Sequence, residues 1–221
     1  MCGLKDLSIS ELLELASRFQ LDGTATTVEP FGNGNVNDTF LVRTGSGNRY
    51  TLQRINHDVF KDPVSLMDNF ARVTAHLAQK HTDGQTTLQT LVLVPAQDGS
   101  SYLTGEHGNY WRVTEYVPGG LSLEVPESRE HAYEAAYAFG DFQYQLRDLP
   151  GDPLIETIPD FHNTESRYQA FNKAVEQDVC GRAGDAADLI SFAQENEHLA
   201  RLIRYADFPT RTVHNDTKLN N

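Results

Sequence analysis

Cysteine is nearly absent from this chain: Cys2 and Cys180 are the only two in 221 residues. They form no C-x-x-C pair and offer no zinc-ligand spacing, so the sequence points to a reduced, cytoplasmic protein. The opening Met1-Cys2-Gly3-Leu4-Lys5-Asp6 has no charged segment followed by an apolar run, so no signal peptide is expected. No apolar stretch approaches the roughly 18 residues that span a bilayer. Basic residues are scarce as well. Eighteen Lys and Arg stand against 31 Asp and Glu, a formal charge of −13. Nucleic-acid binders neutralise phosphates with basic stripes, so that balance argues against nucleic acid, and equally against an anionic membrane surface.

What is present reads as a folded α+β protein. Hydrophobic residues make up 39% of the chain and aromatics 10%, a globular composition. Ser8-Ile9-Ser10-Glu11 has the form of a capping box, and Ile9, Leu12, Leu13, Ala16 and Phe19 then recur at helical spacing. From Val28 to Ile55 the pattern changes to three short strands separated by turns at 32–35 and 45–48. Asp62-Pro63 starts a second helix, with Leu66, Phe70, Val73 and Leu77 on one face. Further strands are expected at 91–94 and 110–117, ended by Pro118-Gly119-Gly120. Beyond that break the chain turns helical. Ala135, Phe139, Phe142 and Leu146 mark one face of a long helix, and 165–179 and 186–205 read as two more. Pro209 then leads into a short strand at 211–213.

The last eight residues, His214 to Asn221, spell H-x-D-x-x-x-x-N. Phosphoryl transfer needs a carboxylate to take a hydroxyl proton and cations to neutralise the phosphates. Asp216 supplies the carboxylate, Lys218 a cation two residues on, and Asn221 a ligand for magnesium. His214 reads as a hydrogen-bonding scaffold for the loop. A polar turn after a short strand gives the same letters. Near the other end, Gly32-Asn33-Gly34-Asn35-Val36-Asn37 is G-x-G-x-x-N between two strands. Glycines let backbone N–H groups approach phosphate oxygens closely. A dinucleotide fold requires a third glycine and a following helix, and a Walker loop requires G-K-[ST]; neither is here. An ordinary hairpin turn fits this segment too. Asp141, Asp160 and Glu115 are candidate acids, and each reads equally well as a cap or a solvated charge.

Together these motifs lie in kinase order: glycine turn, then Trp111-Arg112-Val113-Thr114-Glu115-Tyr116-Val117-Pro118-Gly119 as a hinge strand, then the H-x-D loop. In this arrangement the chain resembles the aminoglycoside phosphotransferase and choline kinase superfamily. Residues 31–42, 50–53, 138–143 and 212–221 are similar to the N-acetylhexosamine 1-kinases within it. The resemblance implies a bilobal protein-kinase-like fold, with a β-rich N-lobe over 1–117 and a helical C-lobe over 118–221 that is incomplete. It implies ATP and Mg2+ as cofactors, and transfer to the anomeric hydroxyl of N-acetylglucosamine or N-acetylgalactosamine. Asp216 and Lys218 would be catalytic and Asn221 the metal ligand. Gly32, Asn33, Gly34, Asn35, Asn37, Thr39 and Gln53 would line the nucleotide, with the backbone at Glu115 and Val117 meeting the adenine edge.

Two departures shape the expectation. Gln53 occupies the strand position where kinases carry a phosphate-holding lysine, with Arg54 beside it on the opposite face. Asp68 and Asn69 stand where the following helix usually carries the lysine's glutamate partner. A second metal-binding aspartate normally follows the catalytic loop, so this 221-residue chain is expected to be an inactive or weakly active fragment. The same chemistry on another small alcohol (choline, homoserine or an aminoglycoside) and a non-enzymatic nucleotide or sugar binder are the alternatives.

Overall fold

The computed structural model describes residues 7–32, 36–105, 108–120, 123–202 and 209–219. The chain divides into two compact units, one made of residues 1–158 with 211–221, the other of residues 159–210.

The first unit is built on a six-stranded antiparallel sheet. It opens with α1 (Ile9–Ser17), where Ser8 and Glu11 close the expected capping box. Strands β1 (Ala25–Pro30), β2 (Asp38–Thr44) and β3 (Arg49–Ile55) form the expected meander. Helix α2 (Pro63–Thr82) follows, capped by Asp62 with proline in its first turn. Then come β4 (Leu93–Val94), β5 (Leu103–Thr104) and β6 (Tyr110–Glu115). β6 pairs with β3 along one edge, while β4 and β5 share its other edge, opposite Val113–Thr114 and Tyr110–Trp111. The strand expected at 91–94 is short because the antiparallel register sets Leu93 opposite Thr114, so the residues before it run out at the end of β6, Glu115. Leu91 and Val92 lie outside the strand and are exposed.

Alternation along the strands sorts the sheet into two faces. Phe40, Val42, Tyr50, Leu52, Trp111 and Val113 point one way and join Leu12, Leu15, Ala16 and Phe19 in one core. Burying such side chains stabilises by roughly 1.5–3 kcal/mol each. Helix α2 contributes the buried Met67, Thr74 and Leu77, and its Phe70 ring lies 4.1 Å from the Arg112 guanidinium, so α2 packs on the opposite face. Helix α3 (Arg129–Gln145) closes the long helical pattern, with Ser128 as its cap.

The second unit holds α4 (Thr164–Gln177) and α5 (Ala187–Glu195). Neither helix has a buried residue. The helix expected over 186–205 stops at Glu195, where Asn196 turns its side-chain amide back onto the Phe192 carbonyl (2.8 Å), and a 3-10 segment Glu197–Arg201 follows. Residues 209–213 are not in a strand.

Candidate active site

The H-x-D loop is set by two local devices. Asn215 takes a left-handed backbone (φ 66°), a conformation asparagine adopts more readily than most residues. The amide of Lys218 then donates to the carbonyl of Asp216 at 3.1 Å, turning the chain back on itself. Lys218 Nζ comes to lie 3.7 Å from Asp216 Oδ2. Both side chains are more than half exposed, and an exposed pair of this kind adds little to stability. The His214 ring packs against two rings of α3, Phe139 at 5.3 Å and Phe142 at 5.9 Å between centroids. The apolar face of α3 thus anchors the loop through aromatic contact. Asn221, the expected metal ligand, lies outside the described residues.

At the sheet, β1 and β2 flank the glycine turn. Phe31 N–H donates to the Thr39 carbonyl at 2.9 Å, closing its base. Gly32 has φ +79°, where an L side chain is strained, although a Cβ there would meet no neighbour. Glycine at 32 therefore answers a backbone requirement. Asn33, Gly34 and Asn35 lie outside the described residues. Asn37 Oδ1 accepts the Asn56 amide at 3.0 Å, a tether from the start of β2 to the end of β3.

Thr39, Gln53 and Arg112 stand directly opposite one another on β2, β3 and β6, so their side chains form one row across the α2 face. Gln53 Nε2 donates to Thr39 Oγ1 at 3.0 Å. Its Oε1 accepts both Arg112 Nε at 3.0 Å and Nη2 at 2.8 Å. Burial pushes the Arg112 guanidinium down to about 10. Arg54 behaves differently. It projects to the other face and pairs with Asp38 at 2.6 Å, beside the Trp111 ring at 5.9 Å.

At the strand's end, Glu115 N–H donates to the Val92 carbonyl at 2.9 Å, which removes that N–H from contact with a base. Val117 is exposed, just past the strand. Asp141 accepts Thr86 Oγ1 at 3.1 Å and Gln145 Nε2 at 2.9 Å, a local scaffold. Asp160 has φ 57° and accepts Asn163 Nδ2 at 2.8 Å, ahead of α4. Sequence reasoning missed Arg112. The alternation Trp111-Arg112-Val113 shows it facing away from the core, but its placement opposite Gln53 depends on a pairing 59 residues apart.

Comparison with solved structures places this arrangement among known folds. The GDP and kanamycin complex of APH(2")-IIia matches with a TM-score of 0.56 at 15% identity, over 94% of this chain and 64% of that one. An aminoglycoside phosphotransferase from Alicyclobacillus acidocaldarius matches with a TM-score of 0.54 at 17% identity, over 89% and 54%. Spectinomycin phosphotransferase APH(9)-Ia, solved with ADP and spectinomycin, matches at 0.50 and 8% identity, over 86% and 58%. The chain therefore has the kinase-like fold of these proteins and spans less than two thirds of their length. The family model described as the phosphotransferase enzyme family matches residues 27–221, from β1 through the H-x-D loop. The chain belongs to the phosphotransferase enzyme family.

Proposed function

We propose that the protein carrying this chain transfers the γ-phosphoryl group of ATP to the anomeric hydroxyl of an N-acetylhexosamine. Phosphoryl transfer is supported by the family match and by a loop where Lys218 stands 3.7 Å from Asp216. The hexosamine acceptor is supported by the resemblance of residues 31–42, 50–53, 138–143 and 212–221. Asp216 accepts the proton of the sugar hydroxyl as its oxygen attacks the γ-phosphorus. The bond from that phosphorus to the bridging oxygen breaks, and ADP leaves with the electron pair. Lys218 offsets negative charge on the group in flight. His214, held by Phe139 and Phe142, fixes the loop that presents the carboxylate.

Gly32 to Asn37, Thr39 and Gln53 are assigned to the phosphates. The Glu115 carbonyl and the Val117 backbone are assigned to the adenine edge. Magnesium supplies charge neutralisation when bound with the nucleotide, and Asn221 is the ligand that the family resemblance provides for it. Among the described residues no three His, Cys, Asp or Glu side chains converge. The lobe division at residue 117 and a cytoplasmic setting belong to the same proposal. Among the described residues no helix is long and apolar enough to cross a membrane.

An aminoglycoside acceptor is the second reading. It is favoured by the kanamycin and spectinomycin complexes of the similar structures and by the charge of −13, which suits a polycation. One experiment separates the two. The complete gene product is incubated with ATP, magnesium and either N-acetylglucosamine or kanamycin, and phosphorus NMR follows the new phosphate ester. A sugar 1-phosphate that vanishes in Asp216→Asn supports the hexosamine reading. Phosphorylated kanamycin without it transfers the assignment to aminoglycosides.

A further inference from the structure

Replacing the strand lysine of a kinase by glutamine removes a positive charge from the phosphate site. Arg54, the adjacent cation in sequence, does not restore it, because its guanidinium is paired with Asp38 on the far face of the sheet. Arg112 is placed differently. It sits on the same face as Gln53, is part-buried over Phe70, and has no carboxylate partner among the described residues. A desolvated guanidinium whose polar partner is a neutral amide is a cation without an anion.

The contact also fixes the orientation of Gln53. A guanidinium only donates, so the two bonds from Nε and Nη2 require Oε1 to face Arg112. The amide nitrogen must then point away. One of its protons goes to Thr39 Oγ1, and the other has no acceptor among the described residues. Donation from a cation to the carbonyl end polarises the amide and strengthens its N–H as a donor.

We propose that Arg112 and Gln53 act as one unit in place of the strand lysine: Gln53 Nε2 contacts a nucleotide phosphate, and Arg112 is the positioning residue that aims the amide and provides its charge. This rests on the nucleotide-binding part of the proposed function. It predicts that removing the Arg112 charge weakens affinity for phosphates and leaves affinity for the nucleoside intact. It also predicts that the pair is interchangeable with a lysine at 53 beside a neutral residue at 112.

The test is calorimetric titration of the complete protein with ATP and, separately, with adenosine, alongside thermal melting of each variant. Arg112→Gln is expected to weaken ATP about ten- to hundredfold, the range of a charge-assisted hydrogen bond, with adenosine unchanged. Arg112→Lys recovers part of the loss. Gln53→Lys alone sets two cations side by side and binds ATP poorly, whereas Gln53→Lys with Arg112→Gln returns ATP affinity to within about threefold of wild type. Arg112→Gln binding ATP as wild type does would overturn the inference. So would equal loss of ATP and adenosine, or a double variant no better than Arg112→Gln. In those cases wild-type binding of ATP leaves the phosphotransferase reading standing. A wild type that binds no ATP sinks both.

Discussion

Lys80, near the end of α2, donates to the carboxylate of Asp148 at 2.5 Å and to the carbonyl of Gln145 at 2.8 Å. His76, one turn earlier, places Nε2 at 3.1 Å from the same carbonyl and 3.3 Å from the same carboxylate. Asn69 exchanges two bonds with the backbone of Ile155, and Arg72 donates to the carbonyls of Pro150 and Asp152. Helix α2 is therefore fastened along its length to the stretch that follows α3. Kinases use a lysine–glutamate pair to fix the corresponding helix against the sheet. Here Asn69 is engaged elsewhere, and the ionic anchor lies at the helix's opposite end.

That anchor is pH-dependent. The hydrogen bond from Lys80 holds the Asp148 carboxyl below the usual carboxylate range. Its folded pKa is the lower of the two, so its stabilisation is present above the unfolded value near 4 and is lost as pH falls through the folded one. Thermal melts of wild type and Asp148→Asn should differ at pH 6 to 7, with the variant less stable. The gap should narrow as the pH falls from the unfolded value through the lower folded one. A gap that is constant across that range would contradict the pair as its source.

Asp216→Asn keeps the shape of the side chain and removes its proton affinity. Turnover of the complete protein should fall by about 10²–10⁴, the usual contribution of a general base, with nucleotide affinity within about threefold of wild type. On the proposed mechanism, which assigns its charge to the transferring group, Lys218→Met should lower kcat and leave KM for the acceptor unchanged. Steady-state kinetics with both substrates varied would show either pattern.

Arg54 and Asp38 form a partly buried pair at 2.6 Å, with side-chain exposures of 10% and 27%. Arg54→Met should destabilise the protein by about 1–3 kcal/mol, less than a fully buried pair would, and leave KM for ATP unchanged. A raised KM without lost stability would move Arg54 to the phosphate site and displace Gln53 and Arg112. Urea denaturation with parallel kinetics separates the two.

His214 leans on Phe139 and Phe142, and ring pairs of this kind contribute about 0.5–1.5 kcal/mol. Phe142→Leu keeps the apolar volume of α3 but removes one ring. It should reduce kcat several-fold while melting within a few degrees of wild type. A melting point that falls with kcat unchanged would make Phe142 a packing residue alone.

The elements legible in the sequence were those whose signal is local. Ser8 and Glu11 lie three residues apart, Asp62 and Pro63 are adjacent, and the turns at 45–48 carry their own glycines, so caps, helix starts and the β1–β3 meander followed from spacing. The loop containing Asp216 and Lys218 is likewise a single run of residues. Alternation along β3 already set Gln53 and Arg54 on opposite faces. What tertiary structure decided was the partner of each. Arg54 finds Asp38, Gln53 finds Arg112, and Lys80 finds Asp148, 16, 59 and 68 residues away. Strand register and helix docking choose such partners, and both depend on how the whole sheet and α2 pack. The sequence by itself determined the chemistry on offer: a carboxylate, a lysine, a glycine turn, a glutamine without charge. Only the fold decided which cation stands behind that glutamine, because bringing β6 against β3 requires contacts that no local stretch encodes.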